Sequence, residues 1–283
     1  MSYLNAHVIT DETLREFYNY LIESEKAEAT IKKYLHEICC LKEYLAEEPV
    51  TKTKLLQYRQ FLRDSNQAKT VNAKLSAINH YLEYYGQMDC KVKLLKIQRK
   101  AFINEERELT RSEYCRLLKA AGEKTSERLY YLILTICSTG IRVSEVRFIT
   151  AEAVCCGKAE ICLKGKSRTI IFTKKLIRKL KKYMKQEKIT EGSVFRTRSG
   201  RSLDRSNICH EMKKLADKIG ITREKVHPHS LRHLFAREFY KIHNNIAHLA
   251  DILGHSSIET TRIYVAVSAR EHMKTLEKMN LII

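Results

Sequence analysis

The sequence predicts a mainly α-helical protein with a small antiparallel β-sheet. Only two prolines and nine glycines interrupt its 283 residues, which favours long helices. Apolar side chains recur at helical spacing through the N-terminal part, whereas residues 150–173 contain alternating and β-branched stretches typical of strands. Apolar residues make up 44% of the chain, enough for one large core or two ordinary ones.

Four helices with short connections are predicted in the N-terminal part, which we interpret as a compact bundle. Thr10 or Asp11 begins the first helix, the second starts near residue 30 and ends by Pro49, and Thr51 begins the third. The fourth helix stops at Gly86, and its polar side carries residues that suit phosphate and base-edge contacts, although a solvated helix face is equally compatible. These are Lys69, Thr70, Asn72, Lys74 and Asn79.

The formal net charge is +19, and the excess is unevenly placed. Residues 1–100 hold 16 basic and 13 acidic residues, a net +3, which leaves +16 for residues 101–283. This asymmetry favours a polyanionic partner for the C-terminal part, although a merely basic protein has the same totals. Residues 89–107 are predicted to be a basic linker lying on DNA, with an ordinary solvated linker as the alternative. Its cations include Lys91, Lys93, Lys96, Arg99 and Lys100.

Arg142, at the end of a predicted helix, is the first candidate catalytic or binding residue. Residues 129–137 are apolar on almost every side and predict a buried helix, which Gly140 ends. Arg142 then lies directly beside the core, where a guanidinium needs a partner. Glu145, three residues on, can supply it, and a purely structural Arg142–Glu145 pair is the alternative to a binding role.

A predicted hairpin and the helix after it form a strongly basic segment. Residues 158–185 contain 11 basic residues and one acid, Glu160. A phosphate-contacting surface is therefore predicted, although a solvated lysine-rich face would account for about half of the lysines. The candidate contacts here are Lys166, Arg168, Lys174 and Lys175, which join Lys69, Lys74 and the five linker cations.

The helix that begins at Pro228 is predicted to place His229 and Arg232 in a cleft. At 100° per residue these two side chains and Ala236 share one side. The opposite side forms an apolar stripe that is expected to face the core. That stripe consists of Leu231, Leu234, Phe235, Phe239 and Ile242.

No metal, cofactor or membrane segment is predicted. His229 and His233 are four residues apart, but a zincin needs Glu where this chain has Ser230, and Arg232 would repel a cation. The nine cysteines show no C-x-x-C spacing. Together with the absence of a secretory signal and of an apolar run of about 18 residues, they favour a reducing cytoplasm.

These residue types match the needs of phosphodiester transfer to a side chain. The transition state at phosphorus carries extra negative charge, which two permanently charged arginines can bind. Tyr264, nine positions after His255, is the candidate nucleophile. Its phenol needs an acceptor or a positive field to attack at neutral pH, and the leaving oxygen needs a proton donor.

The motifs within residues 139–264 resemble those of the tyrosine recombinases, the phage-integrase family. TGIRVSE at residues 139–145 resembles the family's first-arginine box, and HSLR at residues 229–232 resembles the second. LGH at residues 253–255, followed by Tyr264, resembles the third.

The resemblance implies a role for each matched residue. Arg142 and Arg232 would clamp the phosphate, with Glu145 in support, and His229 would accept and donate the proton. His255 would bind the phosphate and Tyr264 would attack it. The match to the family's lysine hairpin places Lys164 as general acid, with Lys166 two residues away as the alternative.

The resemblance also implies the domain organisation. Residues 1–88 would form a SAM-like four-helix core-binding domain, residues 89–107 the linker, and residues 108–283 an α+β catalytic domain. No arm-site domain is expected before the first helix. Residues 268–279 read as a helix with Met273, Leu276 and Met279, which would dock on a neighbouring protomer, or alternatively pack on its own domain.

The expected function is that of a Xer-like recombinase or a mobile-element integrase in the cytoplasm, associated with the nucleoid. Such an enzyme cleaves and rejoins double-stranded DNA through a 3′-phosphotyrosine and exchanges strands via a Holliday junction. It acts as a dimer on each site and a tetramer in the synapse, and an accessory DNA-bending factor is compatible with it. A type IB topoisomerase and an inactive integrase-like DNA-binding protein are the alternatives.

Overall fold

The computed structural model describes residues 7–97, 105–124, 127–163, 166–197, 199–201, 203–265, 273 and 276–279. The chain divides into two compact units, Met1–Arg99 and Lys100–Ile283. The described residues are mostly helical and include one two-stranded antiparallel sheet, so the predicted fold class is confirmed.

The N-terminal unit contains four consecutive helices around one core. Thr10 and Thr51 cap the first and third by accepting backbone N–H groups, as predicted. The second helix ends before Pro49, because Ala46 takes a left-handed backbone conformation. The helices are α1 (Asp11–Glu23), α2 (Glu28–Leu45), α3 (Lys52–Ser65) and α4 (Ala68–Tyr84).

Residues 91–97 follow a short 3-10 turn and pack along α4. The Asn79 side-chain amide donates to the Val92 carbonyl (2.9 Å) and accepts its N–H (3.0 Å). Two helical turns earlier, Asn72 does the same with Leu95 (2.9 and 2.7 Å). Val92 is buried in the N-terminal core, so the first part of the predicted linker belongs to this unit, and both asparagine amides hold its backbone.

The C-terminal unit begins with helices around a small hairpin. Strands β1 (Lys158–Leu163) and β2 (Lys166–Ile171) pair antiparallel, with Lys158 opposite Ile171. A six-residue helix before β1 was not predicted, because so short a helix shows barely two turns of periodicity. The elements are α5 (Arg111–Lys124), α6 (Glu127–Thr139), a 3-10 helix (Val143–Phe148), α7 (Ala151–Cys156), β1 (Lys158–Leu163), β2 (Lys166–Ile171) and α8 (Lys174–Gln186).

The second half of this unit is built around α10 (Pro228–His243), which packs on α6 on one side and on two later helices on another. The prediction of a single buried stripe for α10 is therefore wrong. Ala236, on the side expected to face a cleft, is 0% exposed, whereas Ile242 is 77% exposed. The elements are α9 (Arg205–Lys218), α10 (Pro228–His243), α11 (Ile246–Leu253) and α12 (Ile258–Val265).

Among the helices in the described ranges, none combines the length and the apolar character needed to cross a membrane.

Candidate active site

The first part of the candidate site is the turn between α6 and the 3-10 helix, which contains Gly140 and Arg142. Gly140 adopts a left-handed φ of +66°, and a Cβ there would collide with the Phe235 ring. The turn places Arg142 at the start of the 3-10 helix, where its side chain is 41% exposed. One guanidinium nitrogen donates to the Gly254 carbonyl (3.3 Å), which links this turn to the end of α11.

Glu145 is a buried carboxylate that two arginines share. It is 2% exposed and accepts both the Arg142 backbone N–H (2.7 Å) and an Arg142 guanidinium N–H (2.9 Å). Its second oxygen also accepts from Arg168 Nη2 at 2.5 Å. Burial raises the pKa of Glu145, but the hydrogen bond from the Arg142 backbone and the charge of Arg168 outweigh this and lower it overall.

Arg168, one of the candidate DNA contacts, has a mostly buried side chain. Its side chain is only 11% exposed, and it bonds both Glu145 and the Ile252 carbonyl of α11. Through these two bonds, the guanidinium connects the β-hairpin to Glu145, the partner of Arg142, and to the end of α11 just before His255. The alternation of β2 carries the signal, because Arg168 shares a strand face with Ile170, which is 3% exposed.

Arg232 is the most deeply buried charge of the site. It is 1% exposed and donates to the carbonyls of Gly140 (2.5 Å) and Leu253 (2.7 Å) and to His255 Nε2 (2.9 Å). All three partners are neutral. Within the described part of the chain, its Nε has no hydrogen-bond partner. Burial and the nearby Arg142 lower its pKa to about 10, so it stays charged at neutral pH.

Arg142 and Arg168 border a cleft of about 870 Å³ that His255 and an exposed carboxylate, Asp251, also line. The guanidinium groups of Arg142 and Arg168 share one buried carboxylate, that of Glu145, and both lie close enough to Arg232 for their charges to lower its pKa. The local charge is therefore positive even with Asp251 at the rim. An anion with several oxygens is the ligand that this arrangement fits.

His255 follows the left-handed Gly254 at the end of α11. Its Nδ1 lies 2.8 Å from the hydroxyl of Thr261, which is 0% exposed, and its Nε2 accepts from Arg232. Burial and the charge of Arg232 lower the pKa of His255 to about 4, so the ring is neutral at pH 7.

Tyr264 in α12 is 3% exposed and packs among the histidines of its own chain. Its ring stacks on His255, with centroids 5.5 Å apart, and meets His233 edge-on at 4.4 Å. Its phenol is close enough to Arg232 to raise the pKa of that guanidinium, against the larger lowering by burial. The candidate nucleophile thus lies near Arg232 and His255.

His229 lies in the first turn of α10 with an exposed side chain, 5.9 Å from the Tyr264 ring between centroids. Burial of part of the ring and the nearby His233 lower its pKa to about 4, so it can accept a proton at pH 7. His233 in turn faces Glu108, with Nδ1 3.5 Å from the carboxylate. His229 is therefore exposed beside Tyr264, while His233 is held by Glu108.

Several candidates fall outside the described residues. These are Lys164, Arg99, Lys100 and most of the C-terminal segment 268–279. The backbone of Lys166 lies in β2, but its side chain is likewise outside.

The remaining candidate DNA contacts differ in whether their side chains are paired with a carboxylate or exposed to solvent. Lys74 pairs with the buried Glu37 at 2.7 Å, and Lys91 lies 3.5 Å from Glu83. The others have exposed side chains and are available to phosphates. These are Lys69, Lys93, Lys96, Lys174 and Lys175.

Sequence reasoning missed Thr261, Glu108 and the anchoring role of His233. Thr261 carries a weak signal, because it is one helical turn before Tyr264 and so shares its face. Glu108 carries none, since only the fold brings it to α10.

The family model of the phage integrases matches residues 107–271, more than half of the chain. The chain belongs to the phage integrase family. Among named members, the tyrosine recombinase XerA of Pyrococcus furiosus is 26% identical over 99% of this chain and 98% of XerA. XerD of Vibrio cholerae is 26% identical over 88% of this chain and 89% of XerD.

Solved structures of phage integrase family proteins share the fold. The crystal structure of a lambda integrase tetramer bound to a Holliday junction matches with a TM-score of 0.72. The match covers 92% of this chain and 78% of the integrase at 16% identity, so it shows a shared fold.

Proposed function

We propose that this protein is a tyrosine-type site-specific recombinase, which cleaves and rejoins DNA through a covalent 3′-phosphotyrosine. The observation that carries the proposal is the buried Arg232, whose partners are all neutral, next to the buried Tyr264. A buried guanidinium without a carboxylate partner of its own stabilises a bound phosphate, and the nucleophile lies beside it. The recombinase names of the relatives support the same reaction class.

In the proposed step, the Tyr264 oxygen forms a bond to phosphorus as the bond from phosphorus to the 5′ oxygen breaks. Arg142 and Arg232 bind the non-bridging oxygens, which gain charge in the transition state. His255 adds a hydrogen bond to one of them. The 3′ end remains joined to Tyr264, and the ester bond is exchanged rather than lost. Rejoining therefore needs no ATP.

Two proton transfers accompany this exchange. His229, neutral at pH 7, takes the Tyr264 proton as the phenol attacks. Lys164, on the family resemblance, donates a proton to the departing 5′ oxygen, with Lys166 as the alternative donor. The reverse attack by a 5′ hydroxyl uses the same groups in the opposite sense, which allows strands to be exchanged.

Both units are proposed to contact the duplex through cationic side chains. In the N-terminal core-binding domain these are Lys69, Lys93 and Lys96, which are exposed. In the catalytic domain, α8 presents exposed cations on one face at Lys174, Lys175, Arg178, Lys181, Lys182 and Lys185. Phosphate contacts of this kind position a protein on DNA without reading sequence.

Assembly and location are further parts of the proposal. By analogy with the lambda integrase tetramer on a Holliday junction, four copies of this chain would exchange strands in a synapse. The exposed Met273, Leu276 and Met279 support docking of the C-terminal segment on a neighbouring protomer. Because the proposed substrate is DNA, we also propose that the enzyme acts in the cytoplasm at the nucleoid.

The test uses nicked duplexes, carrying candidate element ends or a random pool, that trap the cleaved state. Wild type should give a denaturation-resistant protein–DNA band, and Tyr264→Phe should bind DNA equally but give none, because the attacking oxygen is gone. Binding measured over a salt series should fall by about 0.9 log units per log unit of salt for each phosphate contacted. An adduct in Tyr264→Phe would contradict the nucleophile, and relaxation of supercoils without recombinants would indicate a topoisomerase.

A further inference from the structure

Thr261 is a buried polar residue beside the catalytic groups that the proposed reaction leaves unused. It lies in α12, one helical turn before Tyr264, and is 0% exposed. Its hydroxyl is 2.8 Å from Nδ1 of His255, while the other ring nitrogen, Nε2, is 2.9 Å from Arg232 Nη2. The imidazole is therefore held from both ends.

These two contacts determine which nitrogen of His255 carries hydrogen. An arginine N–H can only donate, so Nε2 accepts from Arg232. The ring is neutral at pH 7, because burial and the charge of Arg232 lower the pKa of His255 to about 4. A neutral imidazole with an accepting Nε2 has its hydrogen on Nδ1, and this N–H donates to the Thr261 hydroxyl oxygen.

This tautomer is the opposite of the one that phosphate binding requires. A non-bridging phosphate oxygen can only accept, so His255 must present an N–H at Nε2 when it binds one. A neutral ring that does so has a lone pair on Nδ1. A hydroxyl serves both states, since it accepts from Nδ1–H in the first and donates to bare Nδ1 in the second.

We infer that Thr261 is a positioning residue that allows His255 to change tautomer when the scissile phosphate binds, an inference that rests on the proposed function. The Nδ1 proton passes to water at the half-buried ring, and a water proton is delivered to Nε2. The Thr261 hydroxyl then rotates to donate to Nδ1. At pH 7 the ring holds one proton before and after, so the exchange there adds no charge beside Arg142 and Arg232.

The placement of Thr261 also links this change to the nucleophile. Thr261 and Tyr264 are on the same helical face, and the Tyr264 ring stacks on His255 with an interplanar angle of 17°. A ring that is bonded on both nitrogens keeps this stack in both tautomers. Without the hydroxyl, the His255 ring is free to rotate away from the phosphate and from Tyr264.

The kinetic test compares Thr261→Val, which keeps the shape and removes the hydroxyl, with Thr261→Ser, which keeps the hydroxyl. On saturating nicked duplex, Thr261→Val should form the adduct about tenfold more slowly, the rate equivalent of one lost hydrogen bond. Thr261→Ser should restore most of the rate. In a His255→Ala background, Thr261→Val should slow the reaction no further, whereas a merely structural role would add its loss in both backgrounds.

The direct test is the long-range ¹H–¹⁵N spectrum of histidine-labelled protein. We expect hydrogen on Nδ1 of His255 in the free chain, and on Nε2 once duplex is added to the Tyr264→Phe variant, which cannot form an adduct. Hydrogen on Nε2 in the free protein, or a wild-type adduct rate in folded Thr261→Val, would overturn the inference. Failure of the wild-type chain itself to form any adduct would instead overturn the proposed function, and the free-protein spectrum would be unaffected by that failure.

Discussion

Lys74 in the N-terminal unit and Arg232 in the C-terminal unit are both cations set into a helical core, yet their partners differ. Lys74 lies 2.7 Å from the carboxylate of Glu37, which is 6% exposed, so the charge is balanced where it stands. Arg232 is 1% exposed and bonds two carbonyls and a neutral histidine. An unbalanced buried charge is costly, and a phosphate supplies the counter-charge that this site lacks.

The same contrast holds for the polar side chains around each cation. Asn72 and Asn79 use both ends of their amides on the backbone of residues 91–97. At the other site, Arg142 and Arg168 share the single carboxylate of Glu145. Fully satisfied polar groups hold a fold together, whereas a surplus of donors indicates where a ligand binds.

We expect the largest difference between the two regions when each of the two cations is removed by mutation. Arg232→Ala should slow adduct formation about 100- to 1,000-fold at saturating DNA, because a preorganised donor to the transition state is lost. Lys74→Met should leave that rate unchanged and lower the free energy of unfolding of the N-terminal unit by about 2 kcal/mol, since Glu37 loses its partner. Single-turnover cleavage and urea unfolding measure the two effects. Equal rate losses in both variants would remove the contrast.

A second prediction concerns how tightly Arg168 is packed in the catalytic unit. Gly254 and Gly220 have nearly the same left-handed φ, +63° and +64°. A Cβ at Gly254 would collide with the Arg168 side chain, whereas a Cβ at Gly220 would meet nothing within 4 Å. Gly220→Ala should therefore cost only the backbone penalty of about 1 kcal/mol.

Gly254→Ala should cost about 1–3 kcal/mol more than Gly220→Ala, because overpacking is added to the backbone penalty. It should also slow adduct formation, since Arg168 helps to hold Glu145. Urea unfolding of both variants gives the comparison within one unit. Equal costs would show that the site does not depend on the contact between Gly254 and Arg168.

A smaller loss of stability is expected at the asparagines of α4, whose side-chain amides are hydrogen-bonded at both ends. Asn79→Ala removes two hydrogen bonds to Val92 and should destabilise the N-terminal unit by about 1–2 kcal/mol. The Val92 amide should exchange with solvent faster, and adduct formation at saturating DNA should not change. Asn72→Ala is the matched variant, because it should release the Leu95 amide instead. Hydrogen exchange that rises equally at both amides in either variant would argue against separate anchors.

The smallest effect is a proton uptake on DNA binding. Burial and neighbouring positive groups lower the pKa of His229 and His255 to about 4, and a phosphate raises it again by adding opposite charge. A higher pKa in the complex means that binding takes up protons and strengthens as pH falls from about 6.5 towards 4.

Calorimetry near pH 5.5 in two buffers of different ionisation enthalpy measures this uptake. His255→Gln should reduce it. His80→Gln is the control, because burial also lowers the pKa of His80, but this ring packs against Phe17 in the N-terminal unit. No uptake by the wild-type chain would contradict a phosphate beside the two histidines.

The fold predictions that the structure confirms came from sequence patterns only a few residues long. Thr10 and Thr51 are caps, and both act within three residues of chain. The two strands of the hairpin follow from alternation and β-branching. The α10 prediction failed because an amphipathic pattern assumes one buried side, and α10 is covered by α6 and also by α11 and α12.

The motifs that join this chain to its family can be read from residue spacing alone, because short-range spacing encodes turns, caps and helix faces. Three features appear only in the folded chain: Arg168 turns inward to Glu145, Asn72 and Asn79 hold the chain beside α4, and Arg232 has only neutral partners. Each of these depends on groups that lie far apart in the sequence. Such long-range contacts determine whether a buried cation is paired with a carboxylate, as Lys74 is, or has no negatively charged partner among the residues that the structure describes, as is the case for Arg232.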